Sequence, residues 1–299
     1  MKSVGVSIRY SLVCRETGRK LGIKPLVEKS TEIANYGDNV KIRTRPTLTI
    51  SDYQADGPLT IQRPGSNIIE FPINKGKYFQ TILDDVLRVQ ADMPLLDIWS
   101  EEASEQLKIS IDTEVLAAVP AGIVAANKGT TAGRISVNVN LGVTGTPLVV
   151  VDRDAAAAEA EIMDLIIDLG LVLDEQNIPE TNRWLILPAW ACAMLKKSEL
   201  RDASIMGDTT SVYRNGRLGM LDRFTVYSSN LLPKATEGAA TAFWIFAGHM
   251  HGLTFASQLS EMETLRAEST FGTILRGLQV YGHKVIDGIA IAGAYVVKG

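Results

Sequence analysis

Apolar positions recur with a helical period between Met93 and Val119, the longest such pattern in the chain. They lie three or four residues apart, at Leu96, Trp99, Ala103, Leu107, Ile111, Val115 and Ala118. This spacing predicts a helix with one apolar stripe, capped at its start by Asp92 and closed by Pro120. Charged residues occupy the rest of the circumference, at Glu101, Glu102, Glu105, Lys108, Asp112 and Glu114. We therefore expect a strut about 40 Å long that buries a narrow stripe against a sheet.

Residues 38–75 instead show the period of two that is typical of strands. One face of the first strand carries Val40, Ile42 and Thr44, and the other carries Lys41, Arg43 and Arg45. A polar turn at 51–58 separates this strand from its return, so the pattern predicts a long two-stranded arm. Because an isolated hairpin is marginal in water, the arm must pack either on the chain's own core or on a neighbouring subunit. In the second case, Arg43, Arg45 and Arg63 are available to acidic partner surfaces.

The remaining segments alternate between strand and helix patterns. Strands are predicted at 75–83, 135–141, 183–187, 223–228, 241–246, 274–281 and 289–297, and helices at 154–176 and 188–197. The type of segment 255–266 stays open. The polar interval 197–217 is a long loop, which in a compact domain is usually functional or part of an interface. This succession is typical of a layered α/β or α+β protein.

Composition narrows the class of protein. With 299 residues, 46% hydrophobic and 21% charged, the chain has ample material for a core. Its net charge of -4 argues against a protein that grips nucleic acid through a basic surface, although a surface that merely faces nucleic acid remains possible. Cys14 and Cys192 match no metal or redox spacing, which favours a reducing compartment. No apolar run approaches a membrane span, and Arg9 and Arg15 interrupt the segment where a signal peptide needs a clean core.

No motif of catalysis or cofactor binding is present in the sequence. It lacks the nucleophile elbow, the phosphate-binding loop and the zinc-protease helix. His249 and His251 could begin a metal site, but no third ligand lies near them in the sequence, so we interpret them as polar residues at a strand end. The pairs Asp84-Asp85 and Asp152/Asp154 fall at element boundaries, where carboxylates cap helices or close turns. We therefore predict no catalytic residue, no cofactor and no metal.

Several phrases, in order, resemble the major capsid protein of tailed bacteriophages of the Hong Kong ninety-seven type. GDNVKIRTRP, DYQADGPLTIQ and INKGKYFQTILDDV resemble its extended E-loop and return strand, and DMPLLDIWSEEASEQLKISIDTEVLAAV resembles the spine helix of its P-domain. IPETNRWLILPAWACAMLKKSEL and RNGRLGMLDRFTVYSSNLLP resemble its A-domain. The resemblance is weakest over residues 1–33.

That resemblance implies an α+β fold of the same type, with five parts in chain order. These are an N-terminal arm at 1–36, the E-loop and return strand at 37–80, the first part of the P-domain at 81–150 with its spine helix at 93–119, a mainly A-domain portion at 151–240, and strands at 241–299 that return through both domains. The expected E-loop contacts are Lys41, Arg43, Arg45, Tyr53 and Arg63. The expected capsomer-axis loop contains Arg214, Asn215 and Arg217. Each of these residues could equally be an ordinary solvated side chain.

The function implied by the resemblance is structural. The chain would assemble with itself into hexamers and pentamers of an icosahedral shell around phage double-stranded DNA, which it faces non-specifically. Expected partners are a portal and scaffold or cement proteins, with no membrane. The expected location is the virion, and the host cytoplasm during assembly. Two alternatives stay open: an encapsulin-like compartment with the same fold, and an unrecognised α/β enzyme that uses loop 197–217 as a lid.

Overall fold

Thirteen strands and four helices make up the part of the chain that a computed structural model describes, namely residues 39–43, 50, 61–63, 65, 68–91, 93–156, 159–198, 219–238, 240–268 and 270–299. The strands are β1 (Asn39–Arg43), β2 (Ile68–Pro72), β3 (Lys75–Asp84), β4 (Leu148–Val151), β5 (Glu159–Glu161), β6 (Arg183–Leu187), β7 (Met220–Leu221), β8 (Phe224–Ser228), β9 (Lys234–Glu237), β10 (Ala240–His249), β11 (Leu253–Arg266), β12 (Gly272–Val285) and β13 (Ile291–Lys298). The helices are α1 (Asp85–Gln90), α2 (Leu95–Gly122), α3 (Ile162–Glu175) and α4 (Ala189–Lys197). The predicted N-terminal arm, Cys14 and Asp92 lie outside the described residues.

Three sheets organise these strands. The largest has eight strands in the order β5-β4-β13-β10-β6-β8-β7, with β9 paired to β10. It is mixed, because β13, β4 and β5 run parallel to one another whereas β10 runs antiparallel to both β13 and β6. The second sheet is antiparallel, in the order β11-β12-β3, and the third is the two-stranded ladder of β1 and β2.

The large sheet is buried on both faces where β6 runs, which explains the apolar run 184–187 of that strand. Leu185 and Leu187 point to the cluster formed with α3 and α4. Trp184 and Ile186 point to the opposite cluster, where α2 packs. Since successive side chains of a strand face opposite ways, residues 184–187, which lie between two helical layers, are apolar on both faces.

The spine helix α2 confirms the predicted strut but corrects its ends and its stripe. It has no side-chain cap at Pro94 and continues through Pro120 to Gly122. Leu107, Ile111 and Val115 are buried, but the first three positions of the predicted stripe, Leu96, Trp99 and Ala103, are only partly buried. The reason is positional, because the buried cluster that receives the helix begins at Leu107.

Two charged positions of this helix also differ from the prediction. Asp112, expected on the solvent side, is 4% exposed. Glu114, expected beside it, is half-buried and faces β3 and β12. The charged circumference of the helix is therefore solvated mainly over its first half.

Elsewhere most predicted elements are confirmed, with two corrections. The expected strand at 135–141 is irregular: only the isolated bridge between Ala132 and Val139 forms there, and Val137 has a φ of 50°. The helix expected from 154 begins at Ile162, because Glu159–Glu161 pair with β4 as a strand. The open segment 255–266 belongs to β11, with a register shift between Ser257 and Leu259.

Candidate subunit-interface surfaces

The base of the predicted arm is a two-stranded antiparallel ladder. Backbone pairing places Lys41 opposite Glu70 and Arg43 opposite Ile68. Arg63 is exposed. Arg45 and Tyr53 lie outside the described residues. The hairpin prediction is therefore confirmed at its base, and the interface roles of these five residues stay predictions.

The predicted capsomer-axis loop falls entirely outside the described residues, so the roles of Arg214, Asn215 and Arg217 stay predictions. The described chain stops at Ser198, a buried residue that ends α4, and resumes at Gly219. Ser198 donates through Oγ to the carbonyl oxygen of Leu195 at 2.6 Å and so closes the last turn of α4.

The root of the arm packs closely against β12. Phe71 and Ile73 are buried in a small cluster with Ala256 and Val280. Gly282 lies so close to the arm that a Cβ atom there would be 2.4 Å from the carbonyl oxygen of Pro72. An L side chain at this position would collide with backbone, so glycine is required by the close approach. The direction in which the arm leaves the body is thus set by packing at its root.

A charged cluster joins the spine helix to the three-stranded sheet. Lys75 donates to Glu114 Oε1 at 2.6 Å, Tyr281 donates its hydroxyl to Oε2 at 2.6 Å, and Lys77 Nζ lies 3.1 Å from Oε2. Burial opposes ionisation of Glu114, but the hydrogen bonds from Lys75, Tyr281 and Lys77 outweigh it and lower the pKa of Glu114 to about 2. The carboxylate is therefore charged at neutral pH, and its hydrogen bonds link α2 to β3 and β12.

His283 borders this cluster, and its surroundings favour the neutral imidazole. Its Nε2 lies 3.4 Å from Lys75 Nζ. Burial, followed by the positive charge of Lys75, lowers the pKa of His283. A neutral imidazole can accept a hydrogen bond from the ammonium group, which is compatible with the observed distance. The sequence analysis did not predict this cluster. The sequence feature that could have indicated it is the pair Lys75 and Lys77, which occupy inward-facing positions of β3.

The outer face of the three-stranded sheet carries an exposed apolar surface. Tyr78 is 78% exposed and lies opposite Leu278, which is 39% exposed. Beyond the polar row of Gln80 and Arg276, Ile82 is 47% exposed and Leu265 in its row on β11 is 38% exposed. An antiparallel sheet that faces water normally presents polar side chains, so these residues mark a contact surface.

A second charged network lies inside the large-sheet layer. Arg183, only 1% exposed, donates to Asp174 at 2.6 Å and to the carbonyl oxygens of Ile178 and Pro179 at 2.6 and 2.9 Å. Arg223 donates to the other oxygen of Asp174 at 2.8 Å. Burial opposes ionisation of Asp174, but the two arginines outweigh it and lower the pKa of Asp174. Both oxygens of Asp174 accept from an arginine, and Arg183 Nε and Nη2 also donate to backbone carbonyls, which is typical of a structural role.

The side chains that could have formed a metal or acid–base site, His249, His251 and Asp84, contact the protein's own backbone and side chains. His249 is 4% exposed at the end of β10, with its ring 4.9 Å from that of His251, and burial followed by the nearby His251 lowers the pKa of His249. Asp84 accepts from the backbone N–H of Val86 at 2.8 Å and so caps α1. The described residues contain no group of three side chains suited to hold a metal ion. Within the same residues, no helix is both long and apolar enough to cross a bilayer.

A family model described as phage capsid protein matches residues 72–296, about three quarters of the chain. The chain belongs to the phage capsid protein family. It is therefore a structural major capsid protein, and the match favours a virus shell over the encapsulin-like alternative. A comparison with curated proteins gives no match.

Solved structures agree with this assignment at the level of the fold. A structure from Mycobacterium phage Che8 is 22% identical with a TM-score of 0.67, over 91% of this chain and 88% of that one. The capsid of cyanophage P-SCSP1u is 16% identical with a TM-score of 0.63, over 88% and 84%. The capsid of a native GTA particle is 14% identical with a TM-score of 0.56, over 87% and 85%. The chain has the Hong Kong ninety-seven type of capsid fold predicted from its sequence.

Proposed function

We propose that the chain assembles with itself into hexamers and pentamers of an icosahedral shell, and that each arm laps over a neighbouring subunit. One observation carries the proposal. Ile50 and Ile61, on either side of the polar turn predicted at 51–58, are 92% and 87% exposed. Two large aliphatic side chains this exposed need a partner surface, because the hydrophobic effect disfavours leaving them in water.

The charge of the arm supports the same conclusion. Residues 39–65 contain the basic side chains Lys41, Arg43, Arg45 and Arg63 against Asp52 and Asp56. A basic arm fits an acidic neighbouring surface, and the first half of the spine helix offers one through Asp97, Glu101, Glu102 and Glu105, all exposed. Charge complementarity of this kind favours docking in one orientation.

The domain roles follow from the same proposal. We assign the eight-stranded sheet with α3 and α4 to the A-domain, and the three-stranded sheet with α2 to the P-domain. The segment 199–218, with Arg214, Asn215 and Arg217, then forms the capsomer-axis loop. The exposed apolar face around Tyr78 and Ile82 becomes a second contact between subunits.

The shell is proposed to enclose double-stranded phage DNA, with a portal and scaffold or cement proteins as further partners. The net charge of -4 suits an inner wall that does not trap the packaged DNA. Assembly is placed in the host cytoplasm. This role requires no catalysis, so no residue is given a catalytic function.

The test removes the arm without touching its root. Residues 46–66 are replaced by a short Gly-Ser turn, which leaves the ladder of β1 and β2 and the cluster around Phe71 intact. The subunit should keep its circular dichroism spectrum but fail to form stable shells in negative-stain images. A matched control keeps the arm and replaces Ile135, 77% exposed on a different surface, with serine. Shells of normal size and stability from the arm-less subunit would refute the role of the arm.

A further inference from the structure

Helix α3 exposes two carboxylates and two aliphatic side chains on one face. Ile167 and Leu171 are 52% and 41% exposed. Asp164 and Asp168 lie beside them, because residues three or four apart are neighbours on a helix surface. We call these four residues the acidic stripe.

The two carboxylates of the acidic stripe are neighbours of like charge. Within the described part of the chain, neither Asp164 nor Asp168 takes part in an ion pair. Burial, followed by the negative charge of Asp164, raises the pKa of Asp168. A half-buried carboxylate beside a like charge is unfavourable in the isolated subunit, so a cation from outside would stabilise it.

A groove of about 330 Å³ opens beside helix α4, where the parallel strands β4 and β13 end. Three exposed cations line it, Arg153, Lys197 and Lys298, together with the carboxylate of Asp152 and the terminal residue Gly299. None of the three cations pairs with an acid among the residues that the structure describes. We call this the basic groove.

The basic groove also has an apolar lining. Trp190 and Met194 contribute to it from the same face of α4, since they lie four residues apart. Cations combined with aromatic and thioether surface suit a partner that offers both carboxylates and aliphatic side chains. A phosphate backbone would satisfy the cations but leave the apolar lining without a partner.

We propose that the acidic stripe of one subunit docks into the basic groove of a second copy of this chain. An amphipathic helix face in an apolar groove with charges of opposite sign is a recurring mode of protein recognition. The stripe and the groove are different surfaces of one chain, so the contact is head-to-tail and passes from copy to copy. Contacts of this kind form a closed ring when the rotation from one subunit to the next divides a full turn evenly.

This inference rests on the proposed function and deepens it. It assigns to named residues the contact that would hold neighbouring A-domain portions together around a capsomer. The arm and the exposed face around Tyr78 are separate surfaces, so the docking contact can fail while the shell function stands.

The test is a charge exchange in the full-length chain. One variant carries Lys197→Glu and Lys298→Glu, a second carries Asp164→Lys and Asp168→Lys, and a third carries all four changes. Each two-residue variant should lower the fraction of protein in capsomers and shells on the order of tenfold, because like charges then face each other. The four-residue variant should recover most of that loss, since the ion pairs re-form with reversed sign.

Two controls keep the result interpretable. Arg134→Glu with Lys234→Glu makes the same change of net charge at two exposed positions outside the groove and should assemble normally. Because Asp168 is half-buried, a milder stripe variant with Asp164→Lys and Asp168→Asn is compared, and every variant is checked for its thermal unfolding midpoint. Assembly is measured by light scattering and negative-stain imaging.

The outcomes separate the two proposals. Rescue by the four-residue variant supports docking. Normal assembly of both two-residue variants overturns docking and leaves the shell function intact. Normal assembly with loss of co-purifying nucleic acid in the groove variant also overturns it and assigns the groove to nucleic acid. A wild-type chain that never assembles, either alone or with its proposed scaffold partner, overturns the shell function, and the docking contact with it.

Discussion

Replacing Glu114 with glutamine removes the charge that fastens the spine helix to the three-stranded sheet, while keeping the shape of the side chain. The interactions of this carboxylate lower its pKa from 4.5 to about 2. At about 1.36 kcal/mol for each pKa unit, this difference corresponds to about 3 kcal/mol in favour of the charged form. Because the Lys75 and Lys77 side chains are 38% and 40% exposed, solvent screening reduces the value. We expect Glu114→Gln to lower the free energy of unfolding by about 1 to 3 kcal/mol at pH 7.

The pH dependence has a definite sign. The pKa of Glu114 is lower in the folded chain than its ordinary value of 4.5, so its contribution is complete above about pH 5. The contribution is lost as the pH falls through about 2, where the folded carboxylate gains its proton. Glutamine does not titrate. The difference between the wild type and the variant should therefore shrink between these pH values.

Urea unfolding of the isolated subunit, followed by tryptophan fluorescence from pH 7 to pH 2.5, measures this difference. Glu105→Gln is the matched control, because Glu105 is exposed on the same helix and should change stability little. A difference below about 0.5 kcal/mol at pH 7, or one that does not change with pH, would refute the proposed role of the cluster.

Two further predictions concern packing. Ile111→Ala should lower the free energy of unfolding by about 2 to 5 kcal/mol, because Ile111 is 4% exposed, whereas Trp99→Ala should cost less than about 2 kcal/mol since Trp99 is only partly buried. Equal losses in urea unfolding would contradict the corrected stripe. Gly282→Ala should displace the root of the arm, because its Cβ would lie 2.4 Å from a carbonyl oxygen. We expect faster tryptic cleavage at Arg63. An unchanged rate would contradict the close packing of the arm root on Gly282.

Elements with a strong local period were predictable from the sequence. The local hydrophobic pattern indicates the burial of Leu107, Ile111 and Val115 on the helix, and it also indicates the apolar run 184–187 of β6. The end of the spine helix was not, because the carbonyl oxygen of Pro120, in the last helical turn, takes its hydrogen bond from a side chain outside the helix. Lys128 donates to the carbonyl oxygen of Pro120 at 2.7 Å, a contact that no local pattern indicates.

The candidate interfaces were less predictable than the fold. Glu114 meets Lys75 and Tyr281 across 39 and 167 residues of sequence, and only the register of β3 and β12 brings them together. The strand expected at 135–141 failed because Val137 has a positive φ, which alternation of residue types does not reveal. The basic groove likewise joins residues from β13, α4 and the segment after β4, so its charges become a site only after folding.

The central claim, that this chain builds a shell from copies of itself, is tested most directly by measuring its mass when it is expressed alone. Light scattering combined with negative-stain imaging should give megadalton hollow particles, or discrete pentamers and hexamers of the 32.5 kDa subunit. A single 32.5 kDa species at every concentration, both alone and when co-expressed with its proposed scaffold partner, would contradict the account.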